Sequence, residues 1–464
     1  MCGILGLINT EGININSFLS RLSLLQHRGQ ESYGYGFNNG SIMFIKKDIG
    51  FVKNDDNTDL EVDMAIGHVR YSTSGKSKKK KGEIGYDDNE RQISNEIQPF
   101  FGNCKFGKFA LAHNGNIPNI KELSLEFGIF NYLDTCNSDT EFIVAIIEKT
   151  ASQYNSWEEL LKIIVDKIDK AFSIIIMTEN EMFALRDKHG VKPMCLGTYR
   201  DGWCISSESI ALEEYSFLRN VFPGEIIKFS DKKMEIIHRV KDKISHCLFE
   251  YFYFLSDKSV TDGLDVFSLR WQFGETLARQ DIAEGLTIDN PIVVGSPTTG
   301  IAAGRGYAIA MEYQYSQVLT KNEKIGRTFI METALKREEA CKLKYIIDKD
   351  AVYDRNIVIV DDSLVRGTTM KTLIKLFKEK GAKSIHIRIA APPIKNPCYY
   401  GIDIPDREQL IANLFPEQTL ETELALTLDA ASVKYLKLER IKKLMYETRG
   451  YCTGCFNGNY DGDW

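Results

Sequence analysis

One stretch constrains the fold more than any other part of this chain. It covers residues 357–382 and reads IVIVDDSLVRGTTMKTLIKLFKEKGA. The apolar run at residues 357–360 is too short for a helix and predicts a strand buried on both faces. Residues 370–380 then have helical spacing that ends at Gly381. Strand, turn and helix together predict one half of a βαβ unit.

The turn between this strand and helix carries acids followed by hydrogen-bond donors. The acids are Asp361 and Asp362, and the donors are Ser363, Arg366, Gly367, Thr368 and Thr369. Unpaired amides at a helix start favour an anion, whereas carboxylates accept hydrogen bonds from sugar hydroxyls. The turn is therefore suited to a phosphorylated sugar, although short motifs of this kind also occur in ordinary βα loops.

The composition indicates a globular protein. A chain of 464 residues with 43% hydrophobic residues can form two to three domains with substantial cores. Its net charge of −6 argues against nucleic acid or an anionic membrane as a partner. The first residues lack the positive region of a secretory signal, and the ten cysteines are mostly isolated, as in reduced proteins. We therefore expect a cytoplasmic protein.

Cys2 directly follows the initiator methionine, so removal of Met1 would place a thiol and a free α-amine on one residue. Such an amine can act as the base for its own side-chain nucleophile. A cysteine at this position is weak evidence alone, but four further motifs follow it: LQHRGQESYGYG, GHVRYSTSG, LAHNGNIPN and NSDTE. In this order the five motifs resemble those of class II glutamine amidotransferases.

This resemblance implies a glutaminase site. Cys2 would attack the side-chain amide of glutamine, giving a thioester and ammonia, while the Asn114 amide and the Gly115 N–H stabilise the oxyanion. Arg70 would bind the α-carboxylate of glutamine, and Asp139 would bind its α-ammonium group. The alternative is that the glycine-rich strings are turns and both charges are ordinary surface charges.

The acidic turn resembles the phosphoribosyl pyrophosphate (PRPP) signature of type I phosphoribosyltransferases. A second loop, SPTTGIAAGRGYA, follows a strand predicted over residues 292–295 and resembles their pyrophosphate loop. Its matching residues are Thr299 and Gly300, and Lys344 matches a lysine expected to neutralise the leaving pyrophosphate. By the same resemblance, Asp361 and Asp362 would bind the ribose hydroxyls and hold Mg²⁺ together with PRPP.

Some stretches depart from these patterns. Thr298 stands where an acid is usual, SDKS at residues 256–259 replaces an arginine-proline-aspartate-serine run, and Glu323-Lys324 replaces a basic-aromatic pair. Residues 75–98 are longer and more lysine-rich than the usual link, which predicts an inserted, mobile loop. The departures leave open how tightly the chain holds PRPP.

Together the motifs identify the chain as a member of the amidophosphoribosyltransferase family, which implies two domains. Residues 2–240 would form the four-layer αββα domain of N-terminal nucleophile (Ntn) hydrolases, with helices predicted over residues 18–26 and 140–150. Residues 241–464 would form a type I phosphoribosyltransferase α/β domain with a parallel sheet, and a helix is predicted over residues 267–284.

The resemblance also implies the reaction. Ammonia from glutamine would pass internally to C1 of PRPP and displace pyrophosphate, giving 5-phosphoribosylamine, in the first step of de novo purine (IMP) biosynthesis. The family suggests a homo-oligomer, a dimer or a homotetramer, with purine nucleotides as feedback inhibitors. The alternative is a non-catalytic or regulatory paralogue that retains the fold.

Four cysteines require a separate account: Cys247, Cys398, Cys452 and Cys455. The last two form a C-x-x-C pair, which on its own fits a redox dithiol, half a zinc site or two buried thiols. All four positions resemble those that ligate a [4Fe-4S] cluster in the iron-sulfur branch of the family. The resemblance therefore implies a cluster here, with zinc as the main competitor for a Cys₄ site.

Overall fold

The computed structural model describes residues 1–38, 43–56, 59–71, 96–132, 136, 138–169, 171–199, 202–213, 215–230, 233–240, 243–321, 345–445 and 450–460. Most of the insertion predicted at residues 75–98 lies outside this range, as do Lys344 and the Glu323-Lys324 pair. Within the described residues, no helix combines the length and apolar character needed to cross a membrane.

The first half of the chain forms two antiparallel sheets. Their strands are β1 (Gly3–Asn14), β2 (Ser32–Asn38), β3 (Met43–Ile49), β4 (Glu61–Arg70), β5 (Phe100–Cys104), β6 (Gly107–Gly115), β7 (Phe172–Thr178), β8 (Met182–Arg186), β9 (Cys195–Tyr199), β10 (Gly202–Ser206), β11 (Ser216–Asn220), β12 (Glu225–Ser230) and β13 (Lys233–Arg239). In the described part of the chain, one sheet has the order β11-β9-β10-β1-β4-β2-β3 and the other β13-β12-β8-β7-β6-β5.

These sheets are stacked between helices. The helices are α1 (Ile15–Ser23), α2 (Ile120–Glu126), α3 (Asp139–Thr150) and α4 (Trp157–Lys167). Apolar residues such as Ile66 and Ile175 fill the space between the sheets, α1 packs on the outer face of the first sheet, and α3 and α4 cover the second. The predicted four-layer αββα arrangement is confirmed. It is favourable because it buries both apolar faces of each sheet.

The predicted start of α1 was wrong by three residues. The helix begins at Ile15 rather than at Phe18 and ends at Ser23. The Asn14 side chain accepts hydrogen bonds from the backbone N–H groups of Asn16 and Ser17, at 3.1 and 3.2 Å. An asparagine in this position satisfies amides of the first helical turn, and this N-cap signal was missed in the sequence.

The second half is built around a parallel sheet. Its strands and small pairings are β14 (His246–Cys247), β15 (Val260–Thr261), β16 (Leu264–Asp265), β17 (Ile292–Gly295), β18 (Gln314–Tyr315), β19 (Leu319–Lys321), β20 (Tyr345–Ile347), β21 (Asn356–Asp361), β22 (Ser384–Ile389), β23 (Ser432–Tyr435) and β24 (Tyr451–Cys452). The helices are α5 (Val266–Ala283), α6 (Gly300–Met311), α7 (Lys349–Val352), α8 (Thr368–Glu379), α9 (Leu420–Leu428), α10 (Leu438–Leu444) and α11 (Gly454–Asn457).

The order of the parallel strands is β18-β17-β21-β22-β23 among the described residues. Helices α5 and α6 cover one face of this sheet and α8 and α9 cover the other, so β17 and β21 are buried as predicted. From β17 the chain continues to β18, which lies on one side of β17, and later to β21, which lies on the other side of β17. Ligands of such sheets bind at the carboxyl ends of the strands where the direction reverses, here between β17 and β21.

The two halves are joined through a buried ion cluster. Arg28 donates to Glu208 of the first half at 2.5 Å and to Glu250 of the second half at 3.0 Å. Glu208 also accepts hydrogen bonds from the Ser256 N–H at 2.7 Å and the Ser259 hydroxyl at 2.8 Å. The altered run at residues 256–259 therefore has a structural role at this junction.

We expect Glu208→Gln to lower the free energy of unfolding by about 3–5 kcal/mol at pH 7, because it removes a charge partner from a fully buried guanidinium. Burial alone opposes the charge of Glu208, but His27 and Arg28 hold the pKa of this carboxyl well below its ordinary value of 4.5. A depressed folded-state pKa stabilises the fold above the unfolded-state pKa, and this stabilisation is lost as the pH falls below it.

The difference between wild type and Glu208→Gln should therefore shrink from about pH 4.5 downward. Urea denaturation at pH 7 and at pH 3.5 measures it. Glu158→Gln is the matched control, since the Glu158–Lys228 ion pair at 2.7 Å is partly exposed and should contribute less than about 1 kcal/mol. Equal losses in the two variants would contradict the assignment.

Candidate functional site

The register of the first sheet places Cys2 beside Arg70. Gly3 is paired with Val69 across β1 and β4, so the residues before β1 and after β4 lie together. The Cys2 thiol donates to the carbonyl of Tyr71 at an Sγ···O distance of 3.7 Å, and Arg28 Nε donates to the carbonyl of Cys2 at 2.8 Å. The thiol and the carbonyl group of the nucleophile candidate are therefore both held in place.

Buried polar atoms without a hydrogen-bond partner are concentrated near this point. They include both amide atoms of Asn114, both ring nitrogens of His68, Nε2 of His113 and the Ser32 hydroxyl. Buried polar groups in folded proteins nearly always have partners, so exceptions call for a specific explanation. A polar ligand bound among them would supply the missing hydrogen bonds. The Asn114 side chain is 0% exposed, and its N–H groups remain available to donate to such a ligand.

Electrostatic interactions show that His68 of the first sheet and His113 of the second lie close together here. Burial, together with the nearby charges of Arg70, His113 and the N-terminal amine, lowers the pKa of His68 well below its ordinary value. Burial also lowers the pKa of the Met1 amine to about 5, despite the opposing charge of Cys2. Both groups are neutral at pH 7, so the amine at this end of the chain is in its basic, proton-accepting form.

The predicted substrate-binding charges lie at the same site, but Arg70 is not free. Its guanidinium pairs with Glu31 at 2.9 Å and with Glu96, two partners that the sequence did not indicate. A substrate carboxylate at Arg70 would replace one of them. Asp139 begins α3, and its Oδ2 accepts from the Ile117 N–H at 3.2 Å. Asp139 Oδ2 lies 3.8 Å from His113 Nδ1, so Asp139 is next to this group of buried polar side chains.

The acidic turn lies at the switch point of the parallel sheet, the place between β17 and β21 where the strand order reverses. Asp361 ends β21, and the Asp362 N–H donates to Asp361 Oδ1 at 3.0 Å. Thr299, from the loop after β17, donates to Asp362 Oδ2, and Ser363 donates to Asp362 Oδ1 at 2.5 Å. The structure thus brings together the two loops that the sequence identified separately.

The two acids are close enough to disfavour each other's charge. Burial and the neighbouring Asp362 raise the pKa of Asp361 to about 8, and burial also raises the pKa of Asp362. A cation or hydroxyl donors at this point would restore both carboxylates to their charged forms. The donor set of carboxylate and hydroxyl oxygens fits Mg²⁺, which prefers oxygen ligands.

Glycines bring the backbone close to this acidic pair. A Cβ on Gly300 would lie 2.6 Å from the carbonyl oxygen of Val360, so no side chain fits there. Gly367, with φ +75°, precedes α8 and provides no side-chain cap for the amides of its first turn. These amides can bind an anion. Arg366 instead donates to Gln409 at 3.1 Å, and Thr368 and Thr369 form the first turn of α8.

The four cysteines proposed as ligands, Cys247, Cys398, Cys452 and Cys455, lie in one region of the second half. Cys247 and Cys452 are opposite each other in the parallel pair of β14 and β24. Burial and the neighbouring Cys247, Cys398 and Cys452 raise the pKa of the Cys455 thiol well above its ordinary value. Within the part of the chain that the structure describes, no group of three or more His, Cys, Asp or Glu side chains is placed to hold a metal ion.

Comparison with known proteins identifies relatives of both halves. Residues 89–214 match the glutamine amidotransferase domain family, and residues 273–416 match the phosphoribosyl transferase domain family. The amidophosphoribosyltransferase of Archaeoglobus fulgidus is 35% identical over 99% of this chain and 98% of its own length. That of Bacillus subtilis is 32% identical over 99% of this chain and 94% of its own.

A solved structure leads to the same family. The glutamine PRPP amidotransferase of B. subtilis, complexed with ADP and GMP, superposes with a TM-score of 0.82 at 29% identity and covers 100% of this chain and 98% of that one. The relatives span the full length of both halves rather than one domain alone. This chain belongs to the amidophosphoribosyltransferase family.

Proposed function

We propose that this chain is a glutamine-dependent amidophosphoribosyltransferase that converts glutamine and PRPP to 5-phosphoribosylamine. One observation carries the proposal: the same chain holds a cluster of unpartnered polar groups near Cys2 and an acidic pair at the switch point of a parallel sheet. The Arg28–Glu250 contact at 3.0 Å joins these halves. A glutaminase alone would need only the first site, and a simple phosphoribosyltransferase only the second.

In the first site, Cys2 is the proposed nucleophile after Met1 has been removed. Its own α-amine would accept the thiol proton. The thiolate would attack the amide carbon of glutamine, and the unpartnered Asn114 amide and the Gly115 N–H would donate to the oxyanion. Arg70 and Asp139 would hold the α-carboxylate and α-ammonium groups of glutamine.

In the second site, Asp361 and Asp362 would accept hydrogen bonds from the ribose hydroxyls. The residues from Ser363 to Thr369 would bind the 5′-phosphate with their amides and hydroxyls, and Thr299 and Gly300 would contact the pyrophosphate. When bound, Mg²⁺ would neutralise pyrophosphate charge, with Asp361 and Asp362 as its nearest protein ligands. Lys344, outside the described residues, would assist the departure of pyrophosphate.

The rival function is a non-catalytic paralogue, which the departure at Thr298 favours. Thr298 precedes a threonine that donates to Asp362, so the loop keeps its contact with the acidic pair despite the missing acid. The unpartnered amide of Asn114 also has no role in a purely structural protein, because such a group destabilises the fold by about 1–3 kcal/mol. Catalysis accounts for both observations.

Cys2→Ala should abolish glutamine-dependent turnover and leave ammonium-dependent turnover within about twofold, because only the release of ammonia requires the thiol. The measurement is pyrophosphate release from PRPP with glutamine or ammonium chloride as the nitrogen source. Cys104→Ala, which removes a partly exposed thiol from the edge of the second sheet, is the control. Loss of both activities in a folded Cys2→Ala protein would refute two separate sites.

The double variant Asp361→Asn and Asp362→Asn should have the opposite effect. Glutaminase activity should persist, whereas pyrophosphate release should fall by about 10³-fold or more with either nitrogen source, since several transition-state contacts are lost. Glutamate and pyrophosphate are assayed in parallel. Undiminished pyrophosphate release would place PRPP elsewhere.

We also propose that Cys247, Cys398, Cys452 and Cys455 ligate a [4Fe-4S] cluster. The support is the convergence of four cysteines from distant positions and the burial of three of them. Thiolate ligands suit both iron-sulfur clusters and zinc. The proposed role is structural: metal–thiolate bonds would attach the C-terminal segment to the start of the second half.

Protein purified without oxygen should then be brown and contain iron and acid-labile sulfide. Cys455→Ser should lose this iron and have a lower unfolding midpoint, while Cys195→Ser, a buried thiol of the first half, should keep the iron. Metal analysis and absorption spectra provide the measurement. One zinc per chain, or no metal, would show that the cluster assignment is wrong.

Assembly, inhibition and location are proposed on the family's pattern. We propose a homo-oligomer, dimer or tetramer, located in the cytoplasm and inhibited by purine nucleotides. The support for inhibition is that the B. subtilis relative was solved with ADP and GMP. The support for location is that the cysteines are mostly isolated in the sequence, as in proteins of a reducing compartment. Light scattering and assays with added GMP would test assembly and inhibition.

A further inference from the structure

The proposed oxyanion-hole backbone lies between two other backbone segments. On the side of the first domain, the Asn116 N–H donates to the carbonyl of Ala171 at 3.0 Å. A Cβ on Gly115 would overlap this same carbonyl oxygen, so the two segments are in direct contact. Gly115 ends β6 and is in register with Phe172 of β7, so β7 holds its backbone from one side. What packs against the other side also limits the orientation of this backbone.

The second contact comes from the other half of the chain, through a bend at residues 399–401. The Asn116 side-chain N–H donates to the Tyr399 carbonyl at 2.7 Å. Gly401 has φ +87°, and a Cβ built on it would lie 2.9 Å from both the carbonyl carbon and the oxygen of Gly115. It would also lie 3.2 Å from Asn116 Cβ. Gly115 is thus enclosed by Ala171 on one side and Gly401 on the other.

Contacts with residues 455 and 460 of the second half hold the bend at residues 399–401 in place. The N–H groups of Lys395 and Asn396 both donate to the Cys455 carbonyl, at 2.9 and 3.0 Å. The Tyr460 hydroxyl donates to the Pro397 carbonyl at 2.5 Å, and its ring lies 4.8 Å from that of Tyr399. These contacts belong to the second half alone, so the bend is a preformed surface against which Gly115 rests.

We propose that the 399–401 bend is a positioning element for glutamine hydrolysis, which holds the Asn114–Gly115 backbone in the geometry of the oxyanion hole. This inference rests on the proposed function. Neither Tyr399 nor Gly401 would touch glutamine; both act through the end of β6. Oxyanion stabilisation depends steeply on donor position, and a displacement of about 1 Å can reduce the rate about 10²-fold. The phosphoribosyltransferase half thereby completes the glutaminase site.

Gly401→Ala tests the contact directly, because its methyl group would press on the backbone of Gly115 rather than on a flexible side chain. We expect kcat for glutamine hydrolysis to fall about 10- to 100-fold, with KM for glutamine within about twofold, since Arg70 and Asp139 are untouched. Ammonium-dependent pyrophosphate release should remain within about twofold. Alkylation of Cys2 by iodoacetamide should keep its rate, because that reaction forms no oxyanion.

Gly285→Ala is the matched control. Gly285 also has a left-handed conformation, with φ +70°, but no atom lies within 4 Å of the position that a Cβ would take there. The same backbone strain without the contact should leave all of these rates unchanged. A glutaminase loss as large in Gly285→Ala as in Gly401→Ala would attribute the effect to strain and overturn the proposal.

Asn116→Asp provides a second test that does not depend on the folding of Gly401→Ala. It keeps the shape of the side chain but replaces the donor to the Tyr399 carbonyl with a carboxylate oxygen. We expect a fall in glutaminase kcat of about 5- to 50-fold, with ammonium-dependent turnover preserved. Unchanged glutaminase kcat in Asn116→Asp, or an equal fall in both activities, would refute the positioning role. An inactive wild-type protein would instead refute the proposed function.

Discussion

The guanidinium of Arg28 has no contact with solvent and is held by three separate parts of the chain. It binds the Cys2 carbonyl, the Glu208 carboxylate of the first half and the Glu250 carboxylate of the second. Two carboxylates and a carbonyl match the donors of one arginine side chain, which offsets the large cost of removing its charge from water. The backbone of the nucleophile candidate therefore keeps its position only while both halves are docked.

The two sites have opposite polar character, and this follows from their roles. Around Arg28 almost every donor has an acceptor, whereas around Asn114 and His68 buried polar atoms are left without partners. The acidic pair also disfavours its own charged form, because burial and the adjacent Asp362 raise the pKa of Asp361. Each such group lowers the stability of the fold, and a bound ligand that pairs with the group restores that stability. These unsatisfied groups mark the proposed ligand-binding sites.

Sequence patterns predicted the local elements well. The strand at β21 and the helix after it were correct, since their hydrophobic periods are strong and short-range. The four-layer first half was predicted from the family resemblance. The same resemblance identified the loops that carry Thr299 and Asp362, but not the hydrogen bond between them. By contrast, the partners of Arg70, namely Glu31 and Glu96, and the contact of Gly401 with Gly115 carry no local signal. Each joins positions brought together by tertiary structure, and a single sequence gives no measure of such distances.

The burial of Met1 has a consequence for how the protein matures. This residue is 1% exposed and belongs to the same apolar cluster as Leu248, Tyr451 and Phe456, three residues of the second half. An aminopeptidase acts on an extended, accessible end of a chain, whereas here residues of the second half cover Met1. Excision of Met1, on which the proposed free Cys2 amine depends, would therefore have to precede the docking of the second half over it.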